Sequence, residues 1–472
     1  MSYQDLVAMM PVLVLVLGST VLLMTGAWWP HWRNLVLTGI AVALLAAMTA
    51  LFCPAPVTEV ANMYSTGPYA RFFTVTWSLL AALVLFLSLR YGGERRFDGG
   101  VYSALVLFAA TGMSLLSAAT SLVGLFLGLE AYTLVLYILI AFDLDSSRAA
   151  EAALKYLVLG AIATGFMAFG IALIYLSAGT FHLPEAVTAL TTDGHLRPYA
   201  LFGWAMLMVA VGFKISLVPF HLWTPDVYQG APAPVGGLLA TGSKGAVLAA
   251  LASLYFGIGE AANDIESLIW VLAAVTMIVG TLNAVAQSNL KRMLAYSSVV
   301  HMGYILIGLL AGGTEGFSAV VFYVVVYTVA TLGCFAVITS FSHAGGEPQD
   351  YEDIQGLGYR YAFRSAMLTV FLVSLAGLPP MAGFIGKFGI FAAAIKADLV
   401  GLAIIGIVAS LVSVYYYLRV TIVMYMANVE PKHALHPGCR TEYVVLLFCL
   451  LAVLYLGIMP GGMLDIVAAV TG

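Results

Sequence analysis

The sequence predicts an all-α polytopic membrane protein of about 14 transmembrane helices, with two inverted five-helix repeats and discontinuous helices 7 and 12. Three observations carry this expectation. The 472 residues are 62% hydrophobic and only 9% charged, with a mean hydropathy of +1.01, where a soluble domain carries about 25% charge. Apolar runs near the ~20 residues that a spanning helix needs recur along the whole length. Two of these runs are interrupted by proline close to a lysine.

The expected spans are 6–27, 35–53, 72–90, 101–118, 121–141, 152–177 and 199–221, then 233–255, 267–288, 291–312, 316–342, 364–396, 399–427 and 441–466. The first begins MSYQDLVAMMPVLVLVLG, with no basic n-region and no small-residue cleavage site, and so reads as a spanning helix and not a removed signal. The longest loops, around 54–71, 178–198, 343–363 and 428–441, hold most of the remaining charge, and none is long enough for a separate soluble domain. Loops after odd-numbered spans carry Arg33, Arg90, Arg95, Arg96, Arg148, Lys291, Arg292, Arg360, Arg364, Lys432 and Arg440. Loops after even-numbered spans carry Arg71, Arg197 and Lys396. By the positive-inside rule the odd loops are cytoplasmic and both termini face the periplasmic side.

The seventh span runs AMLMVAVGFKISLVPFHLWTPDVY, with Pro219 and Pro225 after Lys214. The twelfth runs SLAGLPPMAGFIGKFGIF, with Pro379 and Pro380 before Lys387. Proline removes a helix hydrogen bond and frees a carbonyl, which a membrane tolerates only where protein or water covers it. Broken helices at corresponding places, each with a buried charge, point to inverted repeats in spans 4–8 and 9–13. The expected divisions are 1–98 for three N-terminal helices, 99–262 and 263–428 for the repeats, and 429–472 for the last helix.

Five charges lie in or near the ends of these apolar runs: Glu130, Lys155, Lys214, Lys244 and Lys387. Each costs about 2.5–3.5 kcal/mol at a helix centre, about 12–17 kcal/mol in all. Stability does not ask for them, so they read first as an ion pathway. Glu130 sits about nine residues into its span, roughly 14 Å deep. Lys214 is its natural partner; the competing reading is an ion pair that only fixes packing, and such pairs stabilise poorly in low dielectric. Lysine suits a proton carrier because burial brings its titration toward neutrality, which arginine does not allow. Lys244 is flanked by Gly236, Gly237, Gly242, Ser243 and Gly245, small residues that permit close helix approach or a bulge with room for water. Lys387 follows the LPP break and serves as the last station before exit or the first after entry. Lys155, four residues after Glu151, is near enough to the boundary to snorkel.

His301, in LAYSSVVHMGYILIGLL, is either a proton relay or a hydrogen-bonded packing residue. His221, Asp226 and Tyr228 beside the first break are open to water-contacting or capping roles. Arg419 reads as structural, and Tyr415, Tyr416 and Tyr417 as packing or an interface belt. Cys53, Cys334, Cys439 and Cys449 are scattered, without CxxC or Cys/His clustering. No nucleotide loop, flavin fingerprint, axial-histidine pair or hydrolase nucleophile stands out, and the net charge of −4 does not suggest nucleic acid as a partner.

AEAALKYLVLG (150–160), GFKISLVPFHLWTPDVYQGAPAPV (212–235), NLKRMLAYSSVVHMGYILIG (289–308) and SLAGLPPMAGFIGKF (374–388) carry a resemblance over nearly the whole chain. It resembles the antiporter-like membrane subunits of respiratory complex I, and among them the subunit N group of bacterial NADH-quinone oxidoreductases. The EAALKY segment and Lys387 favour N over M, which has glutamate at the matching place, and a chain without a long C-terminal extension is not expected of L. The resemblance implies fourteen helices in two inverted five-helix repeats. It also implies a relay in which Glu130 is the fifth-helix glutamate, Lys155 the sixth-helix lysine, Lys214 the partner of Glu130, Lys244 the central lysine and Lys387 the twelfth-helix lysine. It implies an H+-translocating subunit of NADH:quinone oxidoreductase with no cofactor of its own. NAD, FMN, iron-sulfur clusters and quinone are then expected in partner subunits, and the membrane partners are expected to be homologues of M, L, K, J, A and H in the bacterial inner membrane. The runner-up expectation is an Mrp-type sodium/proton antiporter subunit.

Overall fold

Helices dominate the computed structural model, which describes residues 3–53, 57–191, 195–258, 263–343, 346–426, 435 and 438–471. In chain order they are α1 (Tyr3–Ala8), α2 (Met10–Trp28), α3 (Trp32–Phe52), α4 (Pro68–Glu94), α5 (Gly99–Ser117), α6 (Leu122–Ile140) and α7 (Ser147–Ala178). Then come α8 (Leu183–Thr191), α9 (Arg197–Lys214), α10 (Thr224–Gly230), α11 (Ala233–Leu238), α12 (Lys244–Ile258), α13 (Asn263–Val285), α14 (Leu290–Ala311) and α15 (Gly313–Ser340). The chain ends with α16 (Leu357–Arg360), α17 (Ala362–Ala376), α18 (Ala382–Lys396), α19 (Val400–Met426), α20 (Arg440–Ile458) and α21 (Gly461–Thr471). One short antiparallel hairpin, Glu59–Val60 with Tyr64–Ser65, lies in the loop before α4.

Among the described residues twelve helices are long and apolar enough to cross a membrane, with α11 and α12 counted as one. This is a multi-pass membrane protein. The expected breaks are present. The seventh apolar run leaves helical geometry at Lys214 and resumes as α10 at Thr224, and the twelfth is divided into α17 and α18 around Gly377–Met381. Three expectations need correction. The 441–466 run is not one helix, because Pro460 separates α20 from α21. The 178–198 loop contains α8, and the 54–71 loop contains the hairpin. Lys432, and the divisions at 262–263 and 428–429, fall on or beside residues outside those described.

Burial sorts the helices into an inner and an outer set. The apolar stretches of α11–α12 and α14 are wholly enclosed by protein and α15 nearly so, while α2, α7, α19 and α20 keep most of theirs on the outside. The outward faces carry Leu154, Ile162, Phe169, Ile404, Leu411 and Leu451, an apolar exterior suited to acyl chains. Small residues bring the helices close. At the α7–α9 crossing, a Cβ on Gly170 would meet the Gly203 carbonyl at 2.7 Å, and the reverse holds at the same distance. A Gly203→Leu substitution should therefore wedge these helices apart and lower the accumulation of folded protein, measured by its thermal transition in detergent. The enclosed helices nonetheless carry the polar groups, including Lys244, Ser298 and His301.

Candidate functional site

Where the helices break, backbone carbonyls and long side chains meet. Lys214 is the last residue of α9, and the chain leaves the helix through Ser216, which has φ +65° and is itself buried. The Thr224 hydroxyl, at the start of α10, bonds Ser216 at 2.7 Å and ties the two sides of the break together. The Lys214 ammonium is buried, donates to the Thr133 hydroxyl of α6 at 3.2 Å and lies 3.8 Å from the Glu130 carboxylate. Glu130 accepts a 2.7 Å bond from Thr164 of α7. The lysine and glutamate are thus neighbours in Coulomb range, each hydrogen-bonded to its own threonine. The pair can tighten or separate with a small movement of either side chain.

Lys155 occupies a different setting. Its side chain is 42% exposed and its ammonium lies 2.7 Å from both Glu151 and Asp226. Asp226 also receives Arg292 at 2.7 Å, so α7, α10 and α14 are linked by one charged cluster at the rim of the break. Asp226 is accordingly an ion-pair hub, which neither of its two expected roles described.

Lys244 stands at the start of α12, directly after a π-helical turn at Leu239–Ser243, so the glycine-rich stretch does form a bulge. Its ammonium is fully enclosed, donates to Ser298 of α14 at 2.6 Å and lies 5.4 Å from the Tyr228 ring centroid. Ser298, His301 and Tyr304 follow at intervals of three and share one side of α14. The His301 ring nitrogens pair with the hydroxyls of Tyr323 at 2.6 Å and Tyr417 at 3.0 Å, and Tyr417 also bonds Ser297. A hydroxyl either donates or accepts, so a proton on the ring is accommodated at either nitrogen. Tyr304 then packs against Lys387, whose ammonium lies 4.9 Å from that ring. Lys387 donates to the Ala376 carbonyl, freed at the end of α17, and to Ser410 of α19, both at 2.9 Å. The enclosed bundle therefore contains a polar line from Lys244 through Ser298, His301 and the tyrosines to Lys387.

Gly377 makes the second break possible. It has φ +83°, and a Cβ there would meet the Lys387 stem at 2.8 Å. Gly377→Ala should cost about 1–2 kcal/mol for the left-handed backbone alone, and it should also push the Lys387 ammonium off the Ala376 carbonyl. The expected outcome is a lowered thermal transition, measured in detergent.

Several important residues were hidden from sequence reading. Tyr417 is a partner of His301 and not part of an interface belt, while Tyr415 does face outward. Arg90, Lys291 and Arg364, counted as loop charges, are buried in α4, α14 and α17. Arg90 pairs with Glu442 of α20 at 2.6 Å and donates to the Thr339 carbonyl at 2.8 Å. Lys291 pairs with Glu347, which lies between α15 and α16 outside the spanning helices. Desolvation would raise the Glu347 carboxyl pKa, but the Lys291 charge and hydrogen bonds from Lys291 and Tyr91 hold it below its ordinary 4.5. A lowered folded-state pKa means that this stabilisation is complete above pH 4.5 and is lost as pH falls toward the lowered value. Melting profiles should therefore show an acid loss of stability that Glu347→Gln reduces. A signal was available in the case of Lys291: it lies seven residues before Ser298, on the same side of α14. His221 is buried near the first break with its ring 6.2 Å from Tyr296, and no hydrogen bond at its Nδ1 is made among the described residues. Arg419 reaches the carbonyls of Val285 and Gln287 at 3.3 Å, a structural use.

Comparison with known proteins places this geometry. A family model described as NADH:quinone oxidoreductase/Mrp antiporter, TM matches residues 119–413, the stretch that holds every lysine of the polar line. A NADH-quinone oxidoreductase subunit N from Geotalea uraniireducens is 45% identical over 471 residues and covers 100% of both chains. A chain of respiratory complex I from Thermus thermophilus is 32% identical, with TM-score 0.83 over 97% of this chain and 99% of that one. A chain of the Mrp complex from a Dietzia species has TM-score 0.87 at 20% identity, over 100% of this chain and 97% of that one, a likeness of fold alone. On the full-length identity and the shared architecture, this chain belongs to the subunit N family of NADH-quinone oxidoreductase, respiratory complex I.

Proposed function

We propose that this chain moves protons across the membrane along the buried line Glu130–Lys214, Lys244, His301 and Lys387, driven by NADH oxidation and quinone reduction in other subunits. The observation that carries the reading is a succession of separate polar contacts inside an otherwise apolar bundle: Lys244 to Ser298 at 2.6 Å, His301 between two tyrosine hydroxyls, and Lys387 on a freed carbonyl. Nothing in stability favours charges at these positions, and a channel gives them a use. Movement that separates Lys214 from Glu130 raises the tendency of the lysine to give up its proton, and closer approach reverses it. The proton then passes by way of Lys244 and the hydroxyl groups to Lys387. Lys155 is the outermost station of the relay, held at the rim of the first break by Glu151 and Asp226.

On this reading α9 with its break and the α17–α18 pair are spans 7 and 12, which with the twelve long helices makes fourteen. The repeats are spans 4–8 and 9–13, and Lys214 and Lys387 are their corresponding charges. The loops rich in arginine face the cytoplasm, both termini face the periplasm, and the membrane is the bacterial inner membrane. The membrane partners are homologues of subunits M, L, K, J, A and H, and NAD, flavin, iron-sulfur clusters and quinone belong to partner subunits of the wider complex. The complex I reading is preferred to an Mrp-type sodium/proton antiporter because its relatives reach 45% identity, whereas the Mrp likeness is one of fold.

The test is Lys214→Ala in the assembled complex. Proton pumping and quinone-linked NADH oxidation should both fall. Wild-type values of both in correctly assembled complex would overturn the proposal, and a sodium requirement for transport in vesicles would favour the antiporter reading.

A further inference from the structure

The Lys291–Glu347 pair lies outside the line described above, yet two of its contacts hold the α10–α11 junction that leads to Lys244. Both side chains are enclosed, Lys291 completely and Glu347 to 5% exposure. Glu347 accepts from the Tyr91 hydroxyl of α4 and, at 2.8 Å, from the Ala233 backbone N–H that opens α11. Lys291 donates to the Ala231 carbonyl at 2.7 Å. The pair thus grips both sides of the α10–α11 junction, the point where the chain turns toward Lys244. A polar cavity of about 610 Å³ lies directly against it, with Tyr91, Glu94, Arg95, Asp143, Gln229 and Glu347 among its walls. On α14, Lys291 stands seven residues before Ser298, two turns or roughly 10 Å below the hydroxyl that holds Lys244.

We propose that Glu347 and Lys291 are the loading station of the proton line, taking protons from this cavity and delivering them toward Lys244. The inference rests on the proposed transport function. On the orientation proposed above the cavity opens to the cytoplasm, since its walls come from the arginine-bearing loops. A carboxylate in the wall of a polar cavity, backed by an ammonium two turns from the serine that holds the central lysine, provides an acceptor and then a donor. When Glu347 accepts a proton its charge is neutralised, Lys291 loses its counter-ion, and the proton held by that ammonium becomes easier to release toward Ser298 and Lys244. Proton number balances: one enters at the carboxylate for each one that leaves the ammonium, and return of the Glu347 proton to Lys291 restores the pair. The groups around Glu347 are Tyr91 from α4, Arg95 directly after it, Lys291 from α14 and Gln349 from its own loop. Arg95 is itself held by Asp143 at 3.0 Å.

The experiment uses the whole complex, reconstituted in liposomes and energised by NADH added outside, with proton uptake followed while the external pH is varied. Glu347→Gln keeps the size and most hydrogen-bonding capacity of the side chain. It should lower uptake per assembled complex at least threefold and flatten its dependence on external pH, and Glu347→Asp should restore part of both. Tyr91→Phe removes only a donor to the carboxylate, which favours the protonated form, and should shift the pH profile by a few tenths of a unit toward higher pH. If Glu347→Gln fails to assemble, Tyr91→Phe decides the question by itself. Unchanged uptake and an unshifted profile in the assembled variants would overturn the loading station. With Lys214→Ala still defective, such a result leaves the relay in place; with Lys214→Ala also normal, both proposals fall.

Discussion

Lys244→Met should leave the protein at least about as stable while making the pump much weaker, so that stability and transport part company in one substitution. Methionine has nearly the reach of lysine, adapts to irregular surroundings and brings no charge. The ammonium it replaces is completely enclosed, bonded to Ser298 and facing the Tyr228 ring, with no carboxylate among its contacts with the described residues. Removing it relieves about 2.5–3.5 kcal/mol of insertion cost, less about 1.5–3 kcal/mol for the charged hydrogen bond that is lost. Thermal stability should consequently be equal or higher. On the proposed relay, transport has the opposite requirement, because the line from Lys214 to Lys387 would then lack its middle proton carrier. A tenfold or greater fall in pumping is expected, equivalent to at least about 1.4 kcal/mol on the barrier. Melting curves of the purified complex and proton uptake in liposomes measure the two sides. A variant that is stable and pumps normally would remove Lys244 from the path.

Glu442→Ala should have the largest effect on stability. It leaves the Arg90 guanidinium buried without the carboxylate that now sits 2.6 Å from its Nε. Breaking one side of a buried ion pair costs about 3–5 kcal/mol. The lower part of that range is expected because Glu94, the Thr339 carbonyl and Ser342 still engage the guanidinium. Glu442 also accepts from the Cys439 backbone N–H, so the start of α20 loses a cap as well. Folded protein should accumulate poorly and α20 should detach first, measurable as early protection loss in hydrogen exchange. The double replacement Arg90→Met with Glu442→Leu should recover most of the loss, since an apolar pair of similar volume needs no countercharge. A single variant as stable as the wild type would show that the pair contributes nothing.

Much of the architecture is legible without coordinates because a bilayer allows few solutions. Twenty apolar residues make a helix there, since each backbone amide must be satisfied within its own segment. Proline beside a lysine marks a break for the same reason, and both breaks occur where PFH and LPP stand. The charges within apolar runs are conspicuous, so Glu130, Lys214, Lys244 and Lys387 could be named from the residues, as could the bulge by Lys244 from its glycines. Charges near helix ends are another matter. Arg90, Lys291 and Arg364 look in sequence like the solvated charges of any loop, and their burial depends on which distant segment covers them.

The sequence by itself determined that this is a multi-pass helical membrane protein, where its helices break, and which charges are out of place in a bilayer. Those are consequences of local composition and of a solvent that tolerates no unsatisfied backbone. Only the tertiary structure decided the partners. It set Glu130 near Lys214, inserted Ser298 and His301 between Lys244 and Lys387, turned Tyr417 inward, and paired Lys291 with Glu347 across 56 positions. The physical reason is that a hydrogen bond or ion pair is a matter of a few ångströms between side chains on different helices. Helix rotation and crossing, which set those distances, arise from the packing of the whole bundle.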